Sequence, residues 1–354
     1  MTNALRMAVY TPDRFELLQQ TVRRWNRPDG LGDRAIVDHY YAGSPLCRMH
    51  LLLDGDGQVA GMIGVERLRF LAGDEAIELG IATNYHSFTR GVGGFLYMQW
   101  FRDTPYGLVF GGSPDTQRIL HGRNWRFHHP PVWILNRPCA APAGETGWRA
   151  AAKWVARHVA CSPIPRYARR LERAAAALEI REEGGYDDDW QVRRSPFALR
   201  LAPSLEHLRW RFATTLGLVR YRPFRILRGS ATVGYVIVND GPRQLSVAHL
   251  DGDDPATLAH GVLLALLQVA AGDRRPRSAV AVAGHPEMQR IYRAFGFRRA
   301  RVSPPFAVGG GTPPLQLPAD TSSWLVGYDL GDIGLRPPYW ADAGRAPAAG
   351  TRVR

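Results

Sequence analysis

The chain has 354 residues, 45% of them hydrophobic and 22% charged, and it carries a formal net charge of +13 at pH 7. This length suits about two domains, and the composition is that of a globular protein. No apolar run approaches the roughly 18 residues that a membrane span needs, and the start lacks the basic and apolar regions of a secretory signal.

The first part of the chain predicts a strand, one or two helices and then three antiparallel strands. Alternating or continuous apolar residues mark the strands, and the turns DGDG and AGDE separate them. After these strands the pattern predicts a glycine-rich loop, a helix over about residues 95–101, an apolar strand, a second helix and a closing strand. The segments of these last elements are NYHSFTRGVGG, GLVFGG, DTQRILHG and PVWILNRP.

The composition changes to Ala, Arg and Glu after Pro138, and two stretches there have a helical pattern interrupted by Pro163 and Pro165. The second of these stretches is RYARRLERAAAALEI. They predict a helical connector. The rest repeats the earlier order, and it includes a long helix at PATLAHGVLLALLQVA and a late strand at SSWLVGYDL. The Gly- and Pro-rich segment between Pro304 and Ser322 predicts a flexible insertion.

One motif recurs at a fixed offset of 172 residues, from Pro114 to Pro286. A second pair of segments, around Gly61 and Gly234, agrees with this offset within one residue. Offsets of this length indicate whole domains in tandem, since solenoid repeats are much shorter. The predicted organisation is an N-terminal domain, a helical connector, a C-terminal domain and a flexible tail, at residues 1–138, 139–198, 199–334 and 335–354.

The loop TRGVGGFLYMQWF has the features of an anion site. It places Arg90 and three glycines, Gly91, Gly93 and Gly94, before a predicted helix. Glycines let the main chain approach a phosphate, and the helix dipole favours negative charge at this end. A tight turn between strand and helix is the alternative. No βαβ unit precedes the loop, so a Rossmann site is not supported.

In this context the sequence resembles the GNAT superfamily of N-acyltransferases. The resemblance rests on TRGVGGFLY with VFGGSPDTQRILHGRNWRF in the first half, and on VGYVIV with AVAGHPEMQRIYRAFGFRR in the second. It implies an α+β fold with mainly antiparallel sheets, flanking helices and two tandem GNAT-like domains. It also implies acyl-CoA, such as acetyl-CoA, as co-substrate, and an amine acceptor such as an amino sugar or an amino-acid-derived metabolite.

The resemblance assigns roles to particular residues. Glu78 matches a carboxylate that takes the proton of the amine, and Tyr292 matches an acid that protonates the departing thiolate. A plain surface charge and a core aromatic are the respective alternatives, and His86 could be the base instead. The residues that would bind acyl-CoA are Tyr85, Arg90, Gly91, Val92, Gly93 and Gly94.

The sequence departs from the family pattern at two places. Phe95 stands where the pattern has a glycine, and the corresponding loop of the second half, DGDDPATLAHG, has three aspartates and no arginine. Carboxylates would repel a pyrophosphate. We therefore expect one acyl-CoA site per chain, in the first half.

Three cysteines, Cys47, Cys139 and Cys161, are an odd number and lack CxxC or CxxH spacing. This pattern argues against a disulfide framework and against a zinc site, so we expect a cytoplasmic protein without a metal.

Two other functions stay open at this level. FemABX-like ligases also have two GNAT-like halves and take an aminoacyl group from tRNA. The net charge and an arginine-rich connector would suit such an RNA donor. A degenerate pair of domains that binds acyl-CoA and regulates a partner is the non-catalytic alternative. The connector arginines are Arg149, Arg157, Arg166, Arg169, Arg170 and Arg173.

Overall fold

The computed structural model describes residues 5–25, 30–135, 148, 163–190, 195–214, 219–241, 244–271 and 278–331. Within these ranges the chain forms helices and two mainly antiparallel sheets. This architecture confirms the predicted α+β fold with mainly antiparallel sheets.

The first half contains the following strands and helices in chain order. They are β1 (Arg6–Val9), α1 (Phe15–Trp25), α2 (Arg34–Tyr41), β2 (Cys47–Leu53), β3 (Val59–Ala72), β4 (Glu75–Ser87), α3 (Gly93–Asp103), β5 (Gly107–Phe110), α4 (Pro114–His121), β6 (Arg126–His128) and β7 (Val132–Leu135).

The second part continues with the same kinds of elements. They are α5 (Pro163–Ala174), β8 (Glu179–Glu182), β9 (Leu199–Leu201), α6 (Leu205–Arg211), β10 (Tyr221–Arg228), β11 (Ala231–Asp240), β12 (Gln244–Gly252), α7 (Pro255–Ala271), β13 (Ser278–Val282), α8 (Pro286–Ala294), β14 (Arg298–Arg299), β15 (Phe306–Gly309) and β16 (Trp324–Leu325).

The motif copies occupy equivalent places in the two halves. Helices α4 and α8 both begin at the repeated proline, and Ser113 and His285 cap them. Each motif then passes through a left-handed residue, Asn124 at φ 59° and Gly296 at φ 90°. The aromatic residues that follow, Trp125 and Phe297, are buried.

The two halves exchange strands, and β9 and β16 also join the first sheet, where β9 pairs with both β3 and β16. The first sheet has the order β1-β2-β3-β4-β5-β15-β6, and the second has the order β14-β7-β13-β12-β11-β10-β8. Strand β7 therefore lies in the sheet of the second half, and β15 lies between β5 and β6 of the first. Each sheet needs a strand from the other half to be continuous.

Three details differ from the sequence prediction. Strand β15 lies in the segment predicted to be a flexible insertion, and it is buried between two neighbours. The predicted helix through Ile180 ends at Ala174, and β8 then pairs with β10. Strand β7, which the sequence predicts to close the first sheet, lies instead between β14 and β13 of the second sheet. These strands are short and have Gly and Pro residues near them, so the local sequence pattern does not predict which strands they pair with. Residues 139–147, 149–162 and 191–194 of the predicted connector lie outside the described residues.

Helix α6 connects the halves by packing against α2. His39 Nε2 lies 2.8 Å from the carbonyl of Trp210, and the indole of Trp210 donates to the carbonyl of His39 at 3.0 Å. The hydroxyl of Tyr40 donates to the carbonyl of Arg211 at 3.1 Å. These contacts hold the last turn of α2, which ends at Tyr41, against the second half.

None of the helices in the described ranges is long and apolar enough to cross a bilayer.

Candidate functional site

The glycine-rich loop joins β4 to the start of α3. Helix α3 begins at Gly93 after the buried Val92, and no side chain caps this end. The first amide groups of a helix have no acceptor within the helix, and together with the dipole they attract an anion. The end of α3 therefore differs from those of α4 and α8, where a side chain already accepts from the first turn.

The main chain of the loop is open to a ligand. Gly91 has φ 88°, a conformation that favours glycine. A Cβ built at Gly91 or at Gly94 would meet no atom within 4 Å, so both face open space. Arg90 is exposed beside them. These features fit a cradle for a pyrophosphate with a guanidinium at its edge.

Tyr85 supports the loop from β4. Its hydroxyl donates to the carbonyl of Gly93 at 2.8 Å. A Cβ at Gly93 would lie 3.2 Å from the hydroxyl oxygen of Tyr85. Burial, and next the neighbouring Tyr97, raise the pKa of Tyr85. Tyr85 is therefore uncharged, and its hydrogen bond to Gly93 supports the start of α3. This bond places Tyr85 in contact with the other residues predicted to bind the cofactor.

Strands β4 and β5 diverge next to this loop. They pair in parallel only at Gly80 with Gly107 and at Ile81 with Leu108. Beyond Ile81, β4 contains a bulge, because Met62 and Gly64 of β3 pair with His86 and Thr83. The bulge and the loop therefore border the same gap between two strands.

Sequence reasoning did not identify the side chains around this bulge. Asn84 has φ 48°, and its Nδ2 donates to the hydroxyl of Tyr41 at 2.7 Å. That hydroxyl also lies 3.2 Å from Oγ1 of Thr83. Tyr41 comes from α2, over 40 residues earlier, and no spacing in the sequence relates it to β4.

The two candidate bases lie at different distances from the bulge. Glu78 is exposed and precedes Asn84 by six residues, which is about 20 Å along a strand. It alternates with the buried Ile77 and Leu79. His86 follows the bulge by two residues and stacks on Phe88 at 6.1 Å. His86 is therefore much closer to the gap than Glu78.

Tyr292 does not share this site. It has 0% exposure in the core of the second half, stacked on Phe297 at 5.1 Å, and its hydroxyl has no hydrogen-bond partner. Burial raises the pKa of Tyr292. A hydroxyl enclosed in the core is not accessible to a bound ligand, so the structure argues against the predicted acid role of Tyr292.

In the second half, residues of the chain cap the equivalent helix start and fill the equivalent gap between strands. Asp254 accepts from the amide of Thr257 at 2.7 Å and so caps the start of α7. Strands β12 and β13 diverge after Ser246 and Val280. The gap beyond them contains the segment 321–328.

Close backbone contacts hold that segment on both diverging strands. The amide of Tyr328 donates to the carbonyl of Val247 at 2.8 Å. A Cβ at Gly327 would lie 1.8 Å from the carbonyl oxygen of Ala248, and one at Gly284 would lie 2.0 Å from that of Thr321. The second gap is therefore closed.

No group of three or more His, Cys, Asp or Glu side chains is placed to hold a metal ion in the part of the chain that the structure describes.

No protein-family model matches the sequence, and no curated protein matches it either. Solved structures do share its fold. A GCN5-related N-acetyltransferase from Anabaena variabilis superposes with a TM-score of 0.55 at 10% identity, covering 86% of this chain and 72% of that one. A probable N-acyltransferase from Enterococcus faecalis gives 0.54 at 8% identity, with the same coverage.

N-myristoyltransferase from Saccharomyces cerevisiae, whose structure contains myristoyl-CoA, gives a TM-score of 0.51 at 10% identity, covering 92% of this chain and 90% of that one. Of these structural neighbours, one is a GCN5-related N-acetyltransferase, one is a probable N-acyltransferase and one is an N-myristoyltransferase. At such low identity the likeness establishes the fold. It confirms the resemblance that the sequence motifs indicated.

Proposed function

We propose that the chain is an N-acyltransferase that moves an acyl group, such as acetyl, from acyl-CoA to an amine. The observation that carries this proposal is the open, uncapped start of α3 at Gly93, with Arg90 and Gly91 beside it. A pyrophosphate matches this cradle in charge and in its need for backbone amides. The acceptor would be an amino sugar or an amino-acid-derived metabolite.

The residues around the gap suit the steps of acyl transfer. When bound, acyl-CoA supplies a thioester, and an amine attacks its carbonyl carbon as the carbon–sulfur bond breaks. Backbone amides at the bulge near Asn84 would donate to the carbonyl oxygen, which gains charge in the transition state. His86 is better placed than Glu78 to receive the proton that the amine loses. The role of Glu78 stays a prediction.

One acyl-CoA per chain is part of the proposal. Asp254 places a carboxylate where the second half would need a free helix terminus, and the segment 321–328 fills the adjacent gap. Both features oppose an anion and an acyl chain there. The acyl-CoA site would therefore lie in the first half alone.

The test is release of free thiol from acetyl-CoA in the presence of a panel of amines, including amino sugars. The proposal expects amine-dependent thiol release that ribonuclease does not affect. Transfer that requires aminoacyl-tRNA and is abolished by ribonuclease would instead support the FemABX-like alternative. Binding of acetyl-CoA without turnover of any amine would support a non-catalytic binder.

A further inference from the structure

The bulge in β4 depends on a residue in an uncommon conformation. Asn84 has φ 48°, in the left-handed region, and lies where β4 has one more residue than β3. Residues other than glycine enter this region at a cost, although asparagine does so more readily than most. The extra residue of a bulge is left out of the ladder, so the direction of its main chain depends on local side-chain contacts.

Tyr41 supplies such a contact. Its hydroxyl accepts from Nδ2 of Asn84 at 2.7 Å and lies 3.2 Å from Oγ1 of Thr83, the residue before Asn84. Tyr41 is 4% exposed, so its hydroxyl has a fixed position. One hydroxyl thus holds two consecutive residues of the bulge from the α2 side of the sheet.

The surrounding structure is shaped for this contact. A Cβ at Gly64 of β3 would lie 2.7 Å from Cε1 of Tyr41 and 2.2 Å from Oγ1 of Thr83. Only glycine leaves room there for both groups. Helix α2, which ends at Tyr41, is held by Trp210 through the two hydrogen bonds with His39. The tyrosine is therefore set in place from both halves.

We propose that Tyr41 is a positioning residue that orients the bulge at Asn84, so that the backbone amides there point at the thioester carbonyl. This inference deepens the proposed function and depends on it. Tyr41 would act through Asn84 and Thr83 without touching the reacting atoms. Its removal should weaken polarisation of the carbonyl and leave the pyrophosphate contacts at Arg90 and Gly91 intact.

The direct test is the infrared carbonyl stretch of acetyl-CoA labelled with carbon-13 at the thioester, bound to wild type and to Tyr41→Phe. A polarised carbonyl absorbs at lower frequency than in water. We expect this shift in the wild type and its partial loss in Tyr41→Phe. Thiol release to hydroxylamine, a nucleophile that is uncharged near neutral pH, should fall by at least about tenfold. The dissociation constant of acetyl-CoA should change by less than about twofold.

Two further variants separate positioning from folding. Glycine adopts φ 48° without a tether. The double variant Tyr41→Phe with Asn84→Gly should therefore regain most of the carbonyl shift. Tyr235→Phe is the matched control, because Tyr235 is a buried tyrosine of β11 in the second sheet and its hydroxyl lies 3.1 Å from Nε2 of His249. It should lower the melting temperature and leave the carbonyl shift unchanged.

An unchanged carbonyl stretch in Tyr41→Phe, with acetyl-CoA bound, would overturn the role of Tyr41 and leave the proposed function standing. Loss of acetyl-CoA binding by a folded Tyr41→Phe would also overturn it, since the effect would then lie in binding. A wild type that does not bind acetyl-CoA would refute the proposed function itself, and the inference with it.

Discussion

Nε of Arg211 in the second half lies 3.3 Å from Oε1 of Glu66 in the first, and both side chains are almost fully buried. Burial alone would raise the pKa of Glu66, but Arg211 and His207 outweigh it and lower that pKa. Arg211 also donates to the carbonyls of Asp329 and Gly331. One guanidinium therefore ties together α6, β3 and the segment that follows β16.

Replacing Arg211 should destabilise the whole molecule. In Arg211→Met the carboxylate of Glu66 would stay buried without its main partner, which typically costs about 3–5 kcal/mol of the free energy of unfolding. The measurement is chemical denaturation. Arg290→Met removes an exposed arginine paired with Glu287 and should change stability by less than about 1 kcal/mol. Equal effects of the two variants would contradict the importance of the buried pair.

His249 should make stability depend on pH. Burial, helped by the charges of His207 and Arg200, lowers the pKa of His249 to about 3. Below pH 6.5 the unfolded chain takes up a proton at this residue that the folded chain does not, so the wild type loses stability as the pH falls. The variant His249→Gln lacks this loss.

The stability of His249→Gln minus that of the wild type should therefore rise by about 1.4 kcal/mol for each unit of pH below the histidine's ordinary value. Comparing the two proteins at each pH cancels the titration of the other groups. Denaturation curves between about pH 4 and pH 7 measure this difference. A difference that does not vary with pH would show that the buried histidine is not held neutral.

The exchanged strand β15 should stabilise the first half from within the second. Ala307 lies between Val109 of β5 and Phe127 of β6. In Ala307→Pro, β15 loses the backbone N–H of residue 307 and with it a hydrogen bond of the sheet. A buried group left without its hydrogen bond costs about 1–3 kcal/mol of stability, which corresponds to about 10- to 100-fold faster exchange of the backbone amide hydrogens nearby. Hydrogen exchange should show this acceleration in β5 and β6. Protection of β11 in the second sheet is the reference, and equal acceleration there would indicate global unfolding instead.

Removing the hydroxyl of Tyr292 should have little effect. That oxygen is buried without a partner, so Tyr292→Phe should leave the free energy of unfolding unchanged or raise it by about 1 kcal/mol. Thiol release from acetyl-CoA should also be unchanged. A large loss of rate in a stable Tyr292→Phe protein would restore the acid role that the sequence predicted.

Local patterns in the sequence predicted much of this fold. The alternation of β3 and β4, the glycines around the start of α3 and the repeated motif of α4 and α8 are each contained in a short stretch of chain. The helix starts at Pro114 and Pro286 could be predicted because proline suits a first helical turn.

The rest depends on contacts between distant residues. The four residues of β15 are too few to show a period, and their partners in β5 and β6 lie roughly 180 to 200 residues earlier. Tyr41 meets Asn84 across more than 40 residues of chain, and the helix that carries Tyr41 also contacts Trp210 of the second half. The place of Tyr292 on its helix matches a family motif, but burial of that helix face decides whether its hydroxyl can act.

Calorimetric titration of the whole chain with acetyl-CoA tests the central claim most directly, because it needs no knowledge of the acceptor. We expect one site per chain. Arg90→Glu should weaken binding by at least about 10- to 100-fold, through loss of charge-assisted contacts and added repulsion. Arg290→Glu, an exposed charge reversal on α8, should bind as the wild type does. Absence of binding, two sites per chain, or equal affinity of Arg90→Glu and wild type would contradict a donor site at the start of α3.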